Sequence, residues 1–313
     1  MGVELGRCRE QDLLTIGDVV ALLRDSPAEV THSGLRFLER EGLVTPLRTS
    51  GGHRLYRASD IDRILRIKRW QQDRRSLEEI RARFVREQAA EPLSAVADRF
   101  FAEVVSGNPE AQQIVLAVDE LGVPLSEVFE SVIGKVQREV GDLWCRGELQ
   151  VGQEHEVTEV VRDLIAELGR RHAFSKRSGA PIVAACVPGE LHDIGLRMVI
   201  SLLRAHGRVV HFLGASVEVP FLLEETIRRQ PALVLLSASM NERLPQLRET
   251  VRAVREADLG DRRTLLVGGA GVADHEDELI ELGAVPMTDR ELSEVTAAAL
   301  AASSGPGLAD NAA

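Results

Sequence analysis

The stretch Pro188-Gly189-Glu190-Leu191-His192-Asp193-Ile194-Gly195 decides the fold of the C-terminal part of the chain. The apolar run before it, residues 182–187, has the character of a buried strand, and the apolar spacing after it, residues 196–203, predicts a helix. A loop that joins the carboxyl end of a strand to a helix is where open α/β sheets bind ligands. The sequence therefore predicts a ligand-binding loop in an α/β domain.

The loop offers one imidazole, His192, with the carboxylate of Glu190 two residues before it and Gly195 three residues after it. Histidine suits a transition metal, and a nearby carboxylate can hold the other ring nitrogen and raise its basicity. A glycine lets a bulky group approach the backbone. The alternative is a surface histidine with no ligand, and the loop alone does not decide between the two.

Further strands are predicted at residues 209–213, 233–237 and 265–267, with a short one near 284–286, and helical stretches lie between them. Strands that alternate with helices predict a parallel sheet with right-handed crossovers. We assign a Rossmann-like (flavodoxin-like) α/β domain to residues 180–302. The small-residue tail 303–313 is expected to be disordered.

Composition limits the classes of protein. The chain has 313 residues, enough for two or three domains, and its hydrophobic content of 44% is ordinary for a globular protein. No apolar run approaches the roughly 18 residues of a membrane span, and the N-terminus has no signal-peptide pattern. Cys8, Cys145 and Cys186 are too far apart in sequence for a C-x-x-C pair. We expect a cytoplasmic protein without a zinc site.

Charge is distributed unevenly along the chain. The formal net charge is −11, but residues 13–86 hold 15 Lys and Arg against 10 Asp and Glu. That segment is therefore basic by 5 charges, and the remainder carries −16. A basic segment in an acidic protein is a hint of nucleic-acid binding.

The basic segment has a helix-turn-helix pattern. Thr15, with Asp18 three residues later, has the form of a capping box that starts a short helix. A second helix is predicted at residues 30–39, and a glycine-turned hairpin at 48–56 precedes a long amphipathic helix. The sequence predicts a compact helical domain with a two-stranded wing at residues 13–85.

Three motifs of this segment, in this order, resemble the MerR winged-helix DNA-binding domain: Thr15-Ile16-Gly17-Asp18-Val19, the run 35–43 and the run 51–56. In that family the second helix enters the major groove and the wing contacts the DNA backbone. The resemblance implies that the residues of the recognition helix that face DNA are Thr31, His32, Ser33 and Arg36. It implies that the residues near phosphates are Arg54, Tyr56 and Arg57. An arginine fork suits phosphate or guanine, and a phenol can reach a phosphate oxygen. The alternative is a solvated basic face.

Residues 92–175 are helical in pattern and predict a bundle of about four helices. Trp144 ends the third of them, and Glu154 and His155 begin the fourth after nine intervening residues. Taken alone, Trp144 favours a core position over a ligand contact, and His155 favours a surface or capping position.

The C-terminal domain resembles the cobalamin-binding fold of methionine synthase and related proteins. That family has an acidic-x-His-x-x-Gly loop, then a serine, then Gly-Gly; here 41 residues separate Gly195 from Ser237, and 28 separate Ser239 from Gly268. The resemblance implies that His192 is the lower axial cobalt ligand. It assigns the remaining cofactor contacts to Glu190, Asp193, Gly195, Ser237, Ser239, Gly268 and Gly269.

Two positions depart from the family pattern, and one other fold remains open for this domain. Glu190 replaces the usual Asp, and Ser239 replaces the usual Leu. A flavodoxin-like or receiver-type fold without cobalt is the alternative, but it lacks an obvious phosphate-binding glycine loop.

The order of the three segments is similar to the CarH family of light-sensing repressors. In that family the tryptophan shields the 5′-deoxyadenosyl group on the upper face of the corrin, and the glutamate contacts it. The bundle histidine can take the upper cobalt position after light. The resemblance carries these roles to Trp144, Glu154 and His155.

These motifs predict a non-enzymatic, adenosylcobalamin-dependent transcriptional regulator, expected to be a repressor. It would bind double-stranded operator DNA in darkness as a homo-oligomer, expected to be a tetramer, and leave it on photolysis. Methyl and hydroxo cobalamin remain open as alternatives to the adenosyl form. Two other functions remain open, a corrinoid methyl-carrier or enzyme subunit and a MerR activator that senses another ligand.

Overall fold

The protein is described from a computed structural model that covers residues 13–24, 30–49, 51–72, 75–88, 92–174, 178–257, 263–288 and 290–303. The chain divides into two compact units, Met1–Ala82 and Arg83–Ala313. The predicted disordered tail lies outside the described residues except for Ser303, which ends the last helix. Within the described ranges, no helix is both long and apolar enough to span a bilayer.

The first unit is a small helical domain with a three-stranded antiparallel sheet. Its elements are β1 (Leu14–Thr15), α1 (Ile16–Leu22), α2 (His32–Arg40), β2 (Leu47–Arg48), β3 (Arg54–Tyr56), α3 (Ala58–Gln72) and α4 (Leu77–Gln88), which continues past its boundary. The sheet order is β1-β3-β2. The β2–β3 pair is the predicted hairpin, and β1 adds a third strand.

Side-chain caps fix where the first two helices begin. Thr15 Oγ1 accepts from the Asp18 N–H, and Asp18 Oδ2 accepts from the Thr15 N–H at 2.9 Å, which is the predicted capping box. Thr31 Oγ1 accepts from the Gly34 N–H at 3.1 Å, so α2 begins at His32 rather than at residue 30. Gly42 follows α2 at φ +67°, the left-handed conformation typical of a glycine that ends a helix.

Four helical segments begin the second unit, as the sequence predicts: α5 (Leu93–Val105), α6 (Gln112–Leu121), a third segment made of α7 (Leu125–Glu127), a π-helical turn (Val128–Ile133) and α8 (Gly134–Cys145), and α9 (Val151–His172). Large apolar side chains such as Phe100, Phe129 and Leu164 form their common core. Ile194 and Met198, from the helix after the predicted ligand loop, pack in that same core. This helix of the α/β part therefore packs into the core of the bundle, whereas strand residues such as Val183, Val234 and Val267 belong to a second core.

The α/β part is a five-stranded parallel sheet flanked by helices. Its elements are β4 (Ser178–Cys186), α10 (Ile194–Ala205), β5 (Arg208–Phe212), α11 (Val219–Arg229), β6 (Leu233–Ser237), α12 (Leu244–Glu256), β7 (Thr264–Gly268), α13 (Glu276–Glu281), β8 (Val285–Met287) and α14 (Leu292–Ser303). All five predicted strands are present, in the order β5-β4-β6-β7-β8.

Strand register determines where the site forms. Cys186 is paired with Ser237, and Ser237 is paired with Gly268, so β4, β6 and β7 end side by side. The loops that follow these three strands therefore meet at one edge of the sheet. Because β4 is flanked by β5 and β6, its loop lies where the strand order reverses, which is the place of ligand binding in open α/β sheets.

Candidate functional site

The loop after β4 holds its histidine by the preceding carboxylate. Glu190 Oε1 accepts from the His192 backbone N–H at 2.8 Å and lies 2.7 Å from Nδ1 of the ring. An ionised carboxylate can only accept, so Nδ1 is the donor, and in the neutral imidazole this leaves the lone pair on Nε2. The Glu190 side chain is 1% exposed, whereas that of His192 is 63% exposed. The structure therefore presents one imidazole nitrogen to solvent in a fixed orientation.

The second oxygen of Glu190 joins this loop to the loop after β6. Oε2 accepts from the backbone N–H of Ser239 at 2.7 Å and of Met240 at 3.0 Å. Burial acts to raise the pKa of Glu190, but hydrogen bonds from His192, Met240 and Ser239 outweigh it, and the pKa is lowered. Glu190 is therefore an ionised carboxylate that joins the histidine loop after β4 to the serine loop after β6.

The glycines at the strand ends make room in different ways. A Cβ on Gly195 would meet nothing within 4 Å, so this position borders open space. A Cβ on Gly268 would lie 3.8 Å from the Met287 carbonyl oxygen, which is an ordinary contact. A Cβ on Gly269 would lie 2.4 Å from the Ala238 carbonyl oxygen, so the loops after β6 and β7 are packed backbone against backbone there.

The cofactor contact predicted for Asp193 needs correction. Its side chain is 3% exposed; Oδ1 accepts from Arg162 Nε at 3.0 Å and Oδ2 from Arg197 Nε at 2.7 Å. Both oxygens are bound within the protein, so Asp193 is a structural carboxylate. Arg162 has no signal in the sequence, because only the fold brings α9 against the loop, whereas Arg197 lies four residues after Asp193 and follows from helical spacing.

Cys186 is the last residue of β4, and the carboxylates of Asp193 and Glu190 act on its thiol. Burial, followed by the charges of Asp193 and Glu190, raises the pKa of its thiol to about 12. The thiol therefore stays protonated at neutral pH and is a poor metal ligand.

The three bundle residues lie where one helix ends and the next begins. Trp144 is the penultimate residue of α8 and is 55% exposed. Glu154 and His155 lie near the start of α9, where Glu154 Oε1 accepts from Thr158 Oγ1 and Oε2 lies 3.3 Å from His155 Nε2. The His155 side chain is 73% exposed. The interpretation of Trp144 as a core residue is therefore wrong.

In the first unit, the predicted recognition residues lie on one exposed face. The start of α2 borders a shallow surface cavity of about 720 Å³ lined by Thr31, His32, Ser33, Arg36, Phe37 and Arg40. Leu35 and Leu38 of the same helix are buried, so the helix is anchored on the opposite side. A polar, basic helix face of this kind can contact base edges and phosphates.

The wing residues are placed less uniformly. Arg57 is exposed, whereas Arg54 and Arg48 both bind the carboxylate of Glu39. Burial acts to raise the pKa of Glu39, but these two arginines outweigh it and lower the pKa. Tyr56 is fully buried, so its predicted phosphate contact is not available, and it belongs to the core instead.

Three parts of the chain match the descriptions of known protein families. The description MerR HTH family regulatory protein matches residues 15–85. The description B12 binding domain matches twice, at residues 96–168 and 180–298. The chain is thus a MerR-type regulator with a two-part B12-binding region, which includes both the bundle and the parallel sheet.

Individual proteins that are similar to this chain include a repressor and several corrinoid proteins. The HTH-type transcriptional repressor CarH of Myxococcus xanthus is 29% identical over 254 residues, which is 76% of this chain and 83% of that protein. Dimethylamine corrinoid protein 2 of Methanosarcina mazei is 30% identical over 149 residues, 46% of this chain and 69% of that protein. The monomethylamine corrinoid protein of Methanosarcina barkeri has the same fold, with a TM-score of 0.56, 24% identity and coverage of 66% of this chain and 96% of that one. The chain belongs to the B12-binding proteins, as a regulator of the CarH type.

Proposed function

We propose that this cobalamin-dependent MerR-type regulator uses adenosylcobalamin and responds to light. In darkness it would bind operator DNA as a cofactor-stabilised oligomer, expected to be a tetramer, and illumination would release it. The observation that carries the proposal is the single imidazole nitrogen at the strand edge of a B12-binding sheet, in one chain with a MerR-type domain.

The residues at the lower side of the proposed site fit a corrinoid. Glu190 holds Nδ1 of His192, so the ring is oriented in advance and would hold the cobalt through Nε2. Gly195 leaves the adjacent backbone open to a large group. Ser237 and Gly268, both small and at strand ends, would border the slot for the nucleotide tail. When bound, adenosylcobalamin supplies a cobalt–carbon bond that visible light breaks.

The bundle residues would cover the opposite face. Trp144 is 55% exposed at the end of α8, and an exposed aromatic side chain is suited to lie against an apolar ligand surface. Glu154 would accept hydrogen bonds from the adenosyl ribose. His155 is exposed and would be available as an upper ligand after illumination.

Cofactor binding would control DNA binding through assembly. A ligand at 100 times its Kd stabilises the state that it favours by about 2.7 kcal/mol. Linked DNA-binding domains can gain roughly 10²–10⁴ in avidity over one domain. A modest change in oligomer stability can therefore become a large change in operator occupancy.

The test compares darkness with green light for the full chain loaded with adenosylcobalamin. We expect a larger assembly and an operator gel shift in darkness, and loss of both after illumination. Identical elution volumes and gel shifts under the two conditions contradict the proposal. His192→Ala should weaken ligation in darkness, whereas His155→Ala should change only the spectrum of the illuminated product.

A corrinoid methyl carrier is the second candidate, since the methylamine corrinoid relatives support it. Their similarity covers the bundle and sheet but leaves residues 15–85 unexplained. Cobalamin-dependent operator binding would favour the regulator, whereas a loaded protein that never binds DNA would favour the carrier.

A further inference from the structure

We infer that Arg162 is a positioning residue for the proposed cobalt ligand. It acts through Asp193, the residue that follows His192, and it fixes this loop to helix α9. The inference rests on the proposed function in one respect, that His192 binds the cobalt.

Asp193 connects two helices of different parts of the second unit. Arg197, one turn into α10, binds Oδ2 at 2.7 Å, so this pair is local to the loop. Arg162 comes from α9 of the bundle and binds Oδ1 at 3.0 Å. The carboxylate is almost fully buried, and each of its oxygens faces a different guanidinium. Arg162 is therefore a polar contact between the bundle and the ligand loop.

The cation of Arg162 is itself held in place. Glu159, one turn earlier on α9, binds Nη1 of Arg162, which leaves Nε directed at Asp193. On the other side of the carboxylate, the Arg197 guanidinium lies 5.0 Å from the centre of the Phe212 ring. Both donors are thus oriented by neighbours, and a preoriented donor loses less entropy in making its bond.

His192 is fixed from both sides along the chain. Glu190 holds its backbone N–H and ring nitrogen from two residues before, and Asp193 anchors the backbone one residue after. Removing one partner of a buried ion pair leaves an under-compensated charge, which is strongly unfavourable. Loss of Arg162 should therefore displace the loop at Asp193 and tilt the imidazole, although Arg162 itself does not reach the cofactor.

The same contact connects the two sides of the proposed site. Arg162 lies seven residues after His155, which is about 10 Å or two turns along α9. Because α9 is continuous between them, a movement of the Glu154-His155 end is resisted at the Asp193 contact. Arg162 would then couple the lower-ligand loop to the helix that carries the upper-face residues.

The test measures cobalamin affinity and the axial-ligand absorption spectrum in darkness for Arg162→Met, Arg162→Lys and Arg170→Met. Arg170 is the matched control, because it is on the same helix and pairs with Glu167 at an exposed position. We expect Arg162→Met to raise Kd about tenfold or more, with a spectrum shifted towards that of His192→Ala. Lysine should restore part of the affinity, and Arg170→Met should stay within about twofold of the wild type.

A double-mutant cycle separates positioning from general packing. If Arg162 acts through the imidazole, Arg162→Met should cost little further affinity in a His192→Ala background, whereas independent effects add. Additive losses, or a wild-type spectrum and Kd for Arg162→Met, would overturn the inference. If Arg162→Met does not fold, Asp193→Asn decides, and an unchanged spectrum in that variant overturns it as well. A wild-type protein without an imidazole-ligated spectrum contradicts the proposed function instead.

Discussion

Two adjacent glycines at the end of β7 should respond very differently to the same substitution. In Gly269→Ala the new Cβ would lie 2.4 Å from the Ala238 carbonyl oxygen, 2.6 Å from its carbonyl carbon and 3.0 Å from the Ser239 nitrogen. In Gly268→Ala the nearest such atom is 3.8 Å away. The adjacent position is therefore a matched control that adds the same methyl group.

The clash at Gly269 cannot be relieved by a side-chain rotation, since every atom it meets is backbone. The Ala238 segment is held on both sides, by its N–H to the Gly268 carbonyl at 2.9 Å and by its carbonyl to the Gly271 N–H at 3.1 Å. Gly269 also has φ +107° and ψ 154°, a conformation nearly restricted to glycine. Backbone strain and overpacking together should cost about 2–4 kcal/mol.

Thermal unfolding of the cofactor-free full chain measures this cost. For a unit of about 230 residues, 2–4 kcal/mol corresponds to a Tm lower by roughly 4–16 °C. Gly268→Ala should leave Tm within about 2 °C and act instead on cobalamin affinity, if its α-carbon borders the slot. Equal Tm losses for the two variants, or a wild-type Tm for Gly269→Ala, would refute the reasoning.

Two further substitutions test the exposed tryptophan and the first helix cap. Trp144→Ala should leave the cofactor-free Tm within about 2 °C, because the side chain is exposed. The same variant should reduce the rise in Tm on adding adenosylcobalamin in darkness. A large fall in Tm without cofactor would contradict this. Thr15→Ala should cost the first unit about 1 kcal/mol in denaturant unfolding at pH 7. Hydrogen bonds from Thr15 lower the pKa of Asp18. The free energy of unfolding lost in Asp18→Asn should therefore be full above about pH 3.8, the ordinary pKa of Asp, and should vanish as the pH falls through the lowered pKa. A pH-independent difference would contradict this.

Much of the fold is local in the sequence and could be predicted from it. The Thr15 capping box, Gly42 after α2 and the five parallel strands each depend on a pattern of a few residues. Helix α4 is different: it continues to Gln88, past residue 85 where the first predicted domain ends, because a polar charged stretch is compatible with helix or with an irregular segment.

The contacts of the candidate site also divide into those that are local in the sequence and those that only the fold creates. Glu190 and His192 are two residues apart, so their contact follows from the motif itself. Asp193 and Arg162 are 31 residues apart on separate elements, and no spacing rule relates them. Tyr56 illustrates the opposite error, because a tyrosine close to Arg54 and Arg57 suggests a surface position, whereas this last residue of β3 is fully buried in the core.

A single carboxylate joins two of the three cofactor motifs, and backbone packing joins the third. Glu190 accepts from two donors of His192 and from the backbone of Ser239 and Met240, so the first and second motifs are bound together. The close packing of Gly269 on Ala238 then adds the third. All of these contacts are between protein atoms, so the protein itself can hold the lower side of the site in one arrangement.

The bundle residues have the opposite character, since Trp144 and His155 are exposed and engage little of the protein around them. A ligand should therefore order the upper face much more than the lower one. If cobalamin acts as a switch in this protein, we expect the structural change to lie on the Trp144 and His155 side, while Glu190 keeps His192 in place in both states.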